Sequence, residues 1–253
     1  HETIATDAIE CIDQIVKFWK AGKIVAIKGL GGYILTCDAN NKNSIKSLRL
    51  KKRRPSKPFA LMLDGEDTVK KDFEVSEMEL KALKSTTAPI VLLKEIDIKT
   101  YSEEIAPGLS HYGIMFPSTP LQVLLLNKFN APIIATSGNI HGIPIIHKNK
   151  LAEDRLFEIA DYLLEDDREI IVPQDDSVIR FTTLTQQKII LRRSKGLAPT
   201  YINPNINWSK QSILATGALL KSSFSILHKQ NTYISQYLGN LDRFETLENY
   251  KKT

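Results

Sequence analysis

The chain has 253 residues, of which 42% are hydrophobic and 25% charged, and its formal net charge is +5. This composition is typical of a folded protein, and the length exceeds the ~100–200 residues of an average domain, so one large or two modest domains are expected. The two cysteines, Cys11 and Cys37, form no CxxC pair, which argues against a disulfide scaffold or a zinc site and favours a reducing compartment. Neither a long apolar run nor a signal peptide is recognisable. These features predict a cytoplasmic location without membrane contact.

The first predicted element is a helix over 6–21, with apolar residues at helical spacing, Thr6 and Asp7 as candidate caps, and Gly22 after its end. A continuous apolar strand over 24–28 follows, which predicts a strand covered on both faces of a sheet. The strand leads into a glycine turn, which is followed by a helix over 43–50.

The glycine turn consists of Gly29, Gly31 and Gly32. It does not match the dinucleotide fingerprint GxGxxG, because Ile34 occupies the position of the third glycine, so a nicotinamide or flavin site is not predicted. Glycines here allow the backbone to approach a small ligand closely, or to bend at the floor of a groove. The alternative is a simple turn at the end of a strand.

A basic loop follows the helix over 43–50, in which Ile45, Leu48 and Leu50 are expected to face inward. The loop contains Lys51, Lys52, Arg53, Arg54 and Lys57, and Pro55 and Pro58 restrict its backbone. Like charges held close together repel one another, so an anion between them is the favoured explanation. The alternative is that these residues are part of an ordinary solvated surface.

The middle of the chain alternates predicted strands and helices, which is typical of an α/β protein. Strands are expected over 59–63, 88–93 and 132–136, and helices over 75–84 and 121–128, the latter with Thr119 as cap and Pro120 as first residue. The hydroxyls of Ser85, Thr86 and Thr87 have two possible roles. They line a ligand site, or they cap a helix and form a turn. The strand over 132–136 leads to Ser137 and Asn139, which could bond a nucleotide or only form a turn.

The next segment is predicted as a helix over 151–164, a short strand over 170–172, and strands starting at 175 and 188. Asp175 and Asp176 permit two interpretations, a magnesium site beside nucleotide phosphates or the capping of a loop. Arg192 and Arg193 end the last of these strands, where their charge suits a phosphate. A linker over 199–207 and three strand candidates, over 212–215, 223–228 and 232–235, complete the chain.

Seven ordered blocks carry a resemblance to a known family. They are KGLGGYILTCDANN, SLRLKKRRPSKPFALML, APIVLL, GIMFPSTPLQVLLL, ATSGN, DDSVIR and LRRSKGLAP. The segment over 7–200 resembles the YrdC-like domain of the HypF carbamoyltransferases of hydrogenase maturation. The tail ILATGALLKSSFSILHKQNTYISQYLGNLD resembles the start of that family's next domain, which is ASKHA-like.

The resemblance implies a fold and a division into domains. The expected fold is α/β, a YrdC-like twisted mixed sheet with flanking helices and an open basic groove, followed by a truncated β-rich C-terminal segment. The YrdC-like nucleotide- and carbamate-binding domain is expected over 5–200. A linker and an incomplete ASKHA-like carbamoyl-transfer domain are expected over 201–253.

The resemblance also implies a reaction. Such domains join carbamate, derived from carbamoyl phosphate, to ATP as carbamoyl-adenylate with loss of pyrophosphate, and Mg²⁺ is carried by the nucleotide. The carbamoyl group then passes to a HypE-like acceptor protein for the nickel-iron centre. In the tail, Gln236 to Asn240 depart from the family's SQHLGD, which places the transfer step in doubt but not the adenylation groove.

Site residues follow from the resemblance position by position. Lys52 and Arg54 are expected to be catalytic. The expected nucleotide-binding residues are Lys52, Arg54, Lys57, Ser137, Asn139, Ser177, Arg192 and Arg193, where the alignment does not choose between the two last arginines. Lys28, Gly31 and Tyr33 are expected to bind the acyl substrate, and no metal-ligating residue is predicted.

Three alternatives stay open. A threonylcarbamoyl-adenylate synthase shares the fold, but its Thr-rich turn is replaced here by the glycine turn. A basic-groove module that binds RNA is less favoured, because no aromatic residues interleave with the basic cluster. The third is a scaffolding fragment that is inactive in isolation.

Overall fold

The computed structural model describes residues 2–96, 100–140, 143–202, 211–229 and 231–253. The helices are α1 (Ala8–Lys20), α2 (Lys42–Lys51), α3 (Glu66–Asp72), α4 (Glu77–Leu83), α5 (Pro120–Phe129), α6 (Asn149–Arg155) and α7 (Phe244–Lys252). The strands are β1 (Val25–Lys28), β2 (Tyr33–Asp38), β3 (Ala60–Met62), β4 (Phe73–Glu74), β5 (Ile90–Glu95), β6 (His111–Met115), β7 (Ile133–Ser137), β8 (Tyr162–Leu164), β9 (Val178–Phe181), β10 (Lys188–Arg192), β11 (Thr200–Ile202), β12 (Ile213–Ala215), β13 (Ser225–His228) and β14 (Asn231–Ile234).

Two sheets organise these elements. The ten-stranded sheet has the order β10-β9-β5-β6-β3-β7-β2-β1-β8, with β4 paired to β5. It is mixed, since β1 and β8, β3 and β6, and β5 and β9 are parallel while the other pairs are antiparallel. The smaller sheet is antiparallel, in the order β11-β14-β13-β12. The predicted α/β mixed sheet with a β-rich C-terminal segment is confirmed.

Apolar residues cover both faces of the large sheet. Along β2, the alternate residues Tyr33, Leu35 and Cys37 belong to one hydrophobic cluster and Ile34 to the other. Helices α1 and α5 pack on the face of Ile34, whereas α2 packs on the opposite face. Every residue of β1 is buried, so the prediction of a strand covered on both faces is confirmed.

Helix α1 shows how local signals and packing agree. Its predicted cap Asp7 accepts hydrogen bonds from the backbone N–H groups of Ile9 and Glu10 at 2.9 and 3.1 Å. At the other end, Trp19 is fully buried, and its indole N–H donates to Thr36 Oγ1 at 3.1 Å. This bond satisfies the polar atom of Trp19 inside the core, and it ties α1 to β2.

Several predicted elements differ from the structure. The glycine turn leads into strand β2 rather than directly into the helix, and β6, α3, β4 and α7 were also missed. The helix predicted over 151–164 ends at Arg155, and Tyr162–Leu164 form β8 beside β1. A short apolar run fits both helical and strand spacing, and here sheet pairing decides the outcome.

Two further predictions fail because the residues are exposed. The segment 170–172 is not a strand, and Ile171 and Val172 are 76% and 52% exposed. Leu50 does not face inward, since it is 80% exposed. Among the described residues, no helix has the length and hydrophobicity needed to cross a bilayer.

Helix α2 offers a matched test of which side chains stabilise the fold. Leu48 is completely buried, so Leu48→Ala is expected to lower the free energy of unfolding by about 2–5 kcal/mol. The control Leu50→Ala, on the exposed face of the same helix, should change it by less than about 0.5 kcal/mol. Urea denaturation measures both, and equal losses in the two variants would contradict this packing.

Candidate functional site

A cavity of about 510 Å³ lies over the central strands of the large sheet. Its floor contains residues of β3, β5, β6, β7 and β9, among them Ala60, Gly113 and Ala135. Six of the predicted site residues line it together, namely Lys52, Arg54, Lys57, Ser137, Asn139 and Arg192. The structure therefore brings together residues from the end of α2, the basic loop, the end of β7 and the end of β10.

The Lys52 side chain forms the centre of this arrangement, although only 1% of the residue is exposed. Its ammonium donates to Ser137 O at 2.5 Å, to Asn139 O at 2.6 Å and to Asn139 Oδ1 at 2.8 Å. A lysine has three N–H donors, so these three acceptors use all of them. Lys52 thus acts on the loop over 137–139 and has no donor left for a ligand in this arrangement.

The two other residues of this network bond each other. Ser137 Oγ donates to Asn139 Oδ1 at 2.9 Å, and Asn139 Nδ2 donates to Ile143 O at 2.6 Å. Burial lowers the pKa of Lys52 well below its usual value, and the neighbouring Arg54 lowers it further. The oxygen atoms around the ammonium offset this cost by solvating the charge.

Arg54 is half-buried, and its charged side chain lines the cavity. Its Nε donates to Lys57 O at 3.0 Å and its Nη2 to Pro58 O at 2.5 Å, while its guanidinium lies 5.2 Å from the centre of the Phe59 ring. Burial lowers the pKa of Arg54 to about 10, and the charges of Arg192 and Arg49 contribute. The side chain is therefore fixed by its own loop.

Lys57 lies at the exposed rim. Its pKa is lowered by burial, then by Arg54 and Arg192, whereas Asp175 opposes the shift. Because burial and then neighbouring positive charges lower the pKa values of Arg54 and Lys57, an anion placed between these cations would relieve the repulsion.

The structure distinguishes between the two adjacent arginines. Arg192 lines the cavity, donates from Nε to Asp176 O at 2.6 Å and lies 6.0 Å from the centre of the Tyr237 ring. Arg193 does not line it, and its buried Nε has no partner among the described residues. Of these two adjacent arginines, Arg192 is the one positioned to contact a ligand in this cavity.

Ser177 lies behind the cavity wall rather than on it. The residue is fully buried, its hydroxyl donates to Lys195 O at 2.9 Å, and it accepts from the N–H of Ser194 at 2.9 Å. Both hydrogen bonds join the residue before β9 to the loop after β10. The predicted contact between Ser177 and nucleotide is not supported by this position.

Lys28 and Tyr33 belong to a different polar cluster. They are paired across the β1–β2 hairpin, and both contact Asn149 Oδ1, at 2.7 Å from Lys28 Nζ and 3.0 Å from Tyr33 OH. Lys28 also forms an ion pair with Asp166 at 3.4 Å. Neither lines the large cavity, because the strand register directs both side chains to the loop that contains Asp166.

Gly31 lies beside the chain's own backbone. A Cβ at this position would come within 2.2 Å of Gln174 O, so only glycine permits this approach. The N–H of Gln174 donates to Gly31 O at 2.9 Å. Gly31 borders a second, smaller cavity instead of the large one.

The contacts of Asp176 and Ser85 bear on the two interpretations that the sequence left open for each of them. Asp176 forms an ion pair with Lys195 at 2.6 Å, and the described residues contain no group of three or more His, Cys, Asp or Glu that could hold a metal ion. Ser85 donates to Ala82 O at 2.6 Å and lies 2.7 Å from the Thr87 hydroxyl. This favours the cap and turn for 85–87.

Sequence reasoning missed one wall of the cavity. Four residues that follow the small sheet also line the cavity, namely Tyr237, Asn240, Asp242 and Arg243. The N–H of Tyr237 donates to Arg193 O at 2.6 Å, which attaches this segment to the end of β10. No local pattern indicates that this distant segment returns to the basic loop.

The family comparisons agree with this architecture. Residues 17–194 match the Sua5/YciO/YrdC family model, described as "Telomere recombination", and residues 208–253 match the model of the HypF Kae1-like domain. The chain is 38% identical to a Synechocystis sp. protein named carbamoyltransferase HypF, over 98% of this chain and 32% of the relative. A Rhodobacter capsulatus protein of the same name is 39% identical, over 90% and 30%. The chain thus spans about a third of these curated relatives.

Solved structures show the same similarity. A crystal structure of full-length HypF in its phosphate- and nucleotide-bound form matches with a TM-score of 0.91 and 37% identity, over 95% of this chain and 38% of that one. A structure of P. abyssi Sua5 complexed with L-threonine matches with a TM-score of 0.64 and 22% identity, over 75% and 55%. At this lower identity the match shows a common fold alone.

The anchoring role of Lys52 can be tested by Lys52→Met. The substitution removes the donor of Asn139 O, whereas Ser137 O and Asn139 Oδ1 keep the N–H of Asn139 and the hydroxyl of Ser137 as donors. The loss of the three bonds to Lys52 should lower the free energy of unfolding by about 1–3 kcal/mol. The control Arg53→Gln changes the exposed neighbouring cation and should stay within about 0.5 kcal/mol. Urea denaturation compares the two. A Lys52→Met variant as stable as the control would show that the network does not stabilise the loop.

Proposed function

The chain belongs to the Sua5/YciO/YrdC family, and on this basis we propose that its large cavity joins carbamate to ATP, forming carbamoyl-adenylate and pyrophosphate. One observation carries the proposal. Arg54, Lys57 and Arg192 converge on a cavity whose Ser137–Asn139 loop is held by Lys52. The similarity to a HypF protein whose structure contains phosphate and nucleotide supports it.

The proposed step is a displacement at the α-phosphorus of ATP. A carboxylate oxygen of carbamate forms the new P–O bond, while the bond from the α-phosphorus to the bridging oxygen breaks and its electron pair leaves with pyrophosphate. Negative charge moves onto the leaving group. Fixed cations stabilise such charge without reorganisation during the reaction.

Each residue has a defined role in this proposal. Arg54 and Arg192, held by carbonyl oxygens, face the phosphates, and Lys57 contributes at the rim. Lys52 positions the loop over 137–139, whose Ser137 and Asn139 side chains line the cavity and meet the nucleotide. The wall from Tyr237 to Arg243 limits access of water, which protects an acyl-adenylate from hydrolysis.

The cavity fits the nucleotide in size and charge. Its volume of about 510 Å³ lies within the ~300–1,000 Å³ of small-molecule sites. We propose that Mg²⁺ enters with the phosphates, which together with water supply most of its ligands. Three aspartates line the cavity, namely Asp175, Asp176 and Asp242. Since Asp176 is paired with Lys195, we assign the contact with such an ion to Asp175.

The longer reaction sequence is also a proposal. We assign residues 5–200 to the adenylating domain and 201–253 to the ASKHA-like segment, since β11 pairs with β14 in the small sheet. In a longer protein, the carbamoyl group would pass to a HypE-like acceptor for hydrogenase maturation. A cytoplasmic location stays a prediction.

A second candidate is threonylcarbamoyl-adenylate formation. A Photobacterium profundum protein named threonylcarbamoyl-AMP synthase is 21% identical over 61% of this chain and 85% of its own length. Adding L-threonine to the assay below tests this candidate. RNA binding would instead appear as retention that falls steeply with salt, without any exchange.

Exchange of labelled pyrophosphate into ATP tests the adenylation. With ammonium carbamate present, we expect exchange in the unaltered protein and a loss of about 10²–10³-fold in Arg54→Gln, which removes one charge from the cavity. The control Arg53→Gln removes an exposed charge of the same loop and should retain exchange within about twofold. Carbamate-independent exchange, or equal losses in both variants, would reject the proposal.

The binding of ATP is expected to depend on pH. In the protein without ligand, burial lowers the pKa of Arg54 to about 10 and also lowers the pKa of Lys57. Bound phosphates raise both pKa values, so affinity is greatest while the cations are protonated and falls as pH rises through the lowered values. Calorimetry between about pH 8 and pH 10 should show that ATP binds more weakly at the higher pH and that the protein takes up protons when ATP binds. A constant affinity would show that these cations do not contact the nucleotide.

A further inference from the structure

The Arg49 side chain contacts the basic loop from outside the large cavity. The residue belongs to the last turn of α2 and is 8% exposed. Its Nη1 donates to Arg54 O at 2.5 Å and to Lys57 O at 3.2 Å, and its Nε and Nη2 donate to Glu104 O at 3.2 and 2.5 Å. One side chain thus holds two points of the basic loop and one point of the segment over 103–105.

Arg49 and Arg54 share two contacts. Lys57 O accepts from Arg49 Nη1 and also from Arg54 Nε at 3.0 Å. The centre of the Phe59 ring lies 4.5 Å from the Arg49 guanidinium and 5.2 Å from that of Arg54. A carbonyl oxygen and an aromatic ring both attract cations, so they offset the repulsion between the two guanidinium groups. The position of Arg54, which lines the cavity, therefore depends on Arg49, which does not line it.

The helix itself does not explain why this arginine is buried. A cation in the last turn of a helix is favourable, because the carbonyl end of the helix carries a partial negative charge. Lys51 lies in the same turn of α2, and as an exposed residue it supplies such a charge without the cost of burial. Burial lowers the pKa of Arg49, so keeping its charge in this place costs free energy. Its planar fork of N–H donors offsets that cost by bonding several carbonyls at once.

We propose that Arg49 positions the basic loop for anion binding. Its guanidinium fixes the carbonyls of Arg54 and Lys57, and this holds the two side chains in place before a ligand arrives. The inference rests on the proposed function, because it concerns cations of the same cavity. Cations that are already in place lose less free energy to reorganisation when a ligand binds.

The bond pattern distinguishes an arginine from a lysine at this position. The bonds of Arg49 start from three nitrogen atoms and reach carbonyls on two segments of the chain. A lysine carries its three donors on a single nitrogen atom and cannot reproduce this spread. The variant Arg49→Lys therefore keeps the charge near Arg54 and removes the fork that holds the loop.

Hydrogen–deuterium exchange of the protein without ligand tests the anchoring. In Arg49→Lys and Arg49→Met, we expect the amides over 53–59 to exchange at least about tenfold faster, because the loop opens locally. The control Arg53→Gln should exchange like the unaltered protein. Unchanged exchange in β2 and β7 shows that a variant remains folded. Equal rates over 53–59 in all variants would overturn the inference, and so would faster exchange throughout the large sheet, which would indicate a role in the fold rather than in the loop.

ATP binding, measured by calorimetry, tests whether Arg49 acts through Arg54. We expect Arg49→Lys to bind ATP about tenfold more weakly, whereas Arg53→Gln should stay within about twofold of the unaltered protein. In the Arg54→Gln background, Arg49→Lys should weaken binding by less than about threefold, because one of the side chains that Arg49 positions is absent. Equal losses in the two backgrounds would contradict the inference.

The outcomes separate this inference from the proposed function. ATP binding that depends on Arg49 in this way supports the inference, even if no carbamate-dependent pyrophosphate exchange occurs and the adenylation proposal fails. Pyrophosphate exchange with an unaltered KM for ATP in Arg49→Lys would overturn the inference and leave the adenylation proposal intact. If the unaltered protein bound no ATP, the proposed function would fail, and the deuterium exchange would decide on Arg49 alone.

Discussion

The buried ammonium of Lys52 is the contact on which the site depends. A lysine removed from water loses several kcal/mol of hydration, which only close polar partners can offset. Its partners are two backbone carbonyls and one side-chain amide oxygen of the loop over 137–139. Because Lys52 is the residue at the end of α2, this contact fixes the end of a helix to the end of β7. The basic loop and the Ser137–Asn139 loop thereby become two walls of one cavity.

The other cations are fixed by backbone oxygen atoms rather than by carboxylates. Arg54 donates to carbonyls of its own loop and Arg192 to Asp176 O, so both retain most of their positive charge. Burial lowers the pKa values of Arg54 and Lys57, and the charges of neighbouring cations lower them further. A bound anion would relieve the repulsion between these cations, so binding it would lower the free energy of the site. The charge and the geometry of the cavity thus suit the anionic ligand of the proposed function.

The two glycine-rich features have different physical roles. Gly31 allows the turn after β1 to contact the backbone at Gln174, and Gly138 allows its strand end to contact Tyr33, where a Cβ would lie 2.6 Å from Tyr33 O. Both contacts are within the protein. Side chains that the hairpin register sends elsewhere, such as Lys28 and Tyr33, contribute to the stability of the hairpin instead.

The sequence by itself determined the α/β class, the capped helices α1 and α5, the buried strand β1 and, through the resemblance, the group around Lys52, Arg54, Ser137 and Asn139. These follow from local signals, since caps, apolar periodicity and contiguous motifs are encoded within a few residues. Tertiary structure alone decided that residues 162–164 form a strand and that Arg192 rather than Arg193 lines the cavity. It also decided that Ser177 is buried behind the cavity and that residues between Tyr237 and Arg243 form part of its wall. Each of these depends on strand order and register between segments distant in the chain, and a shift of one residue along a strand sends a side chain to the opposite face.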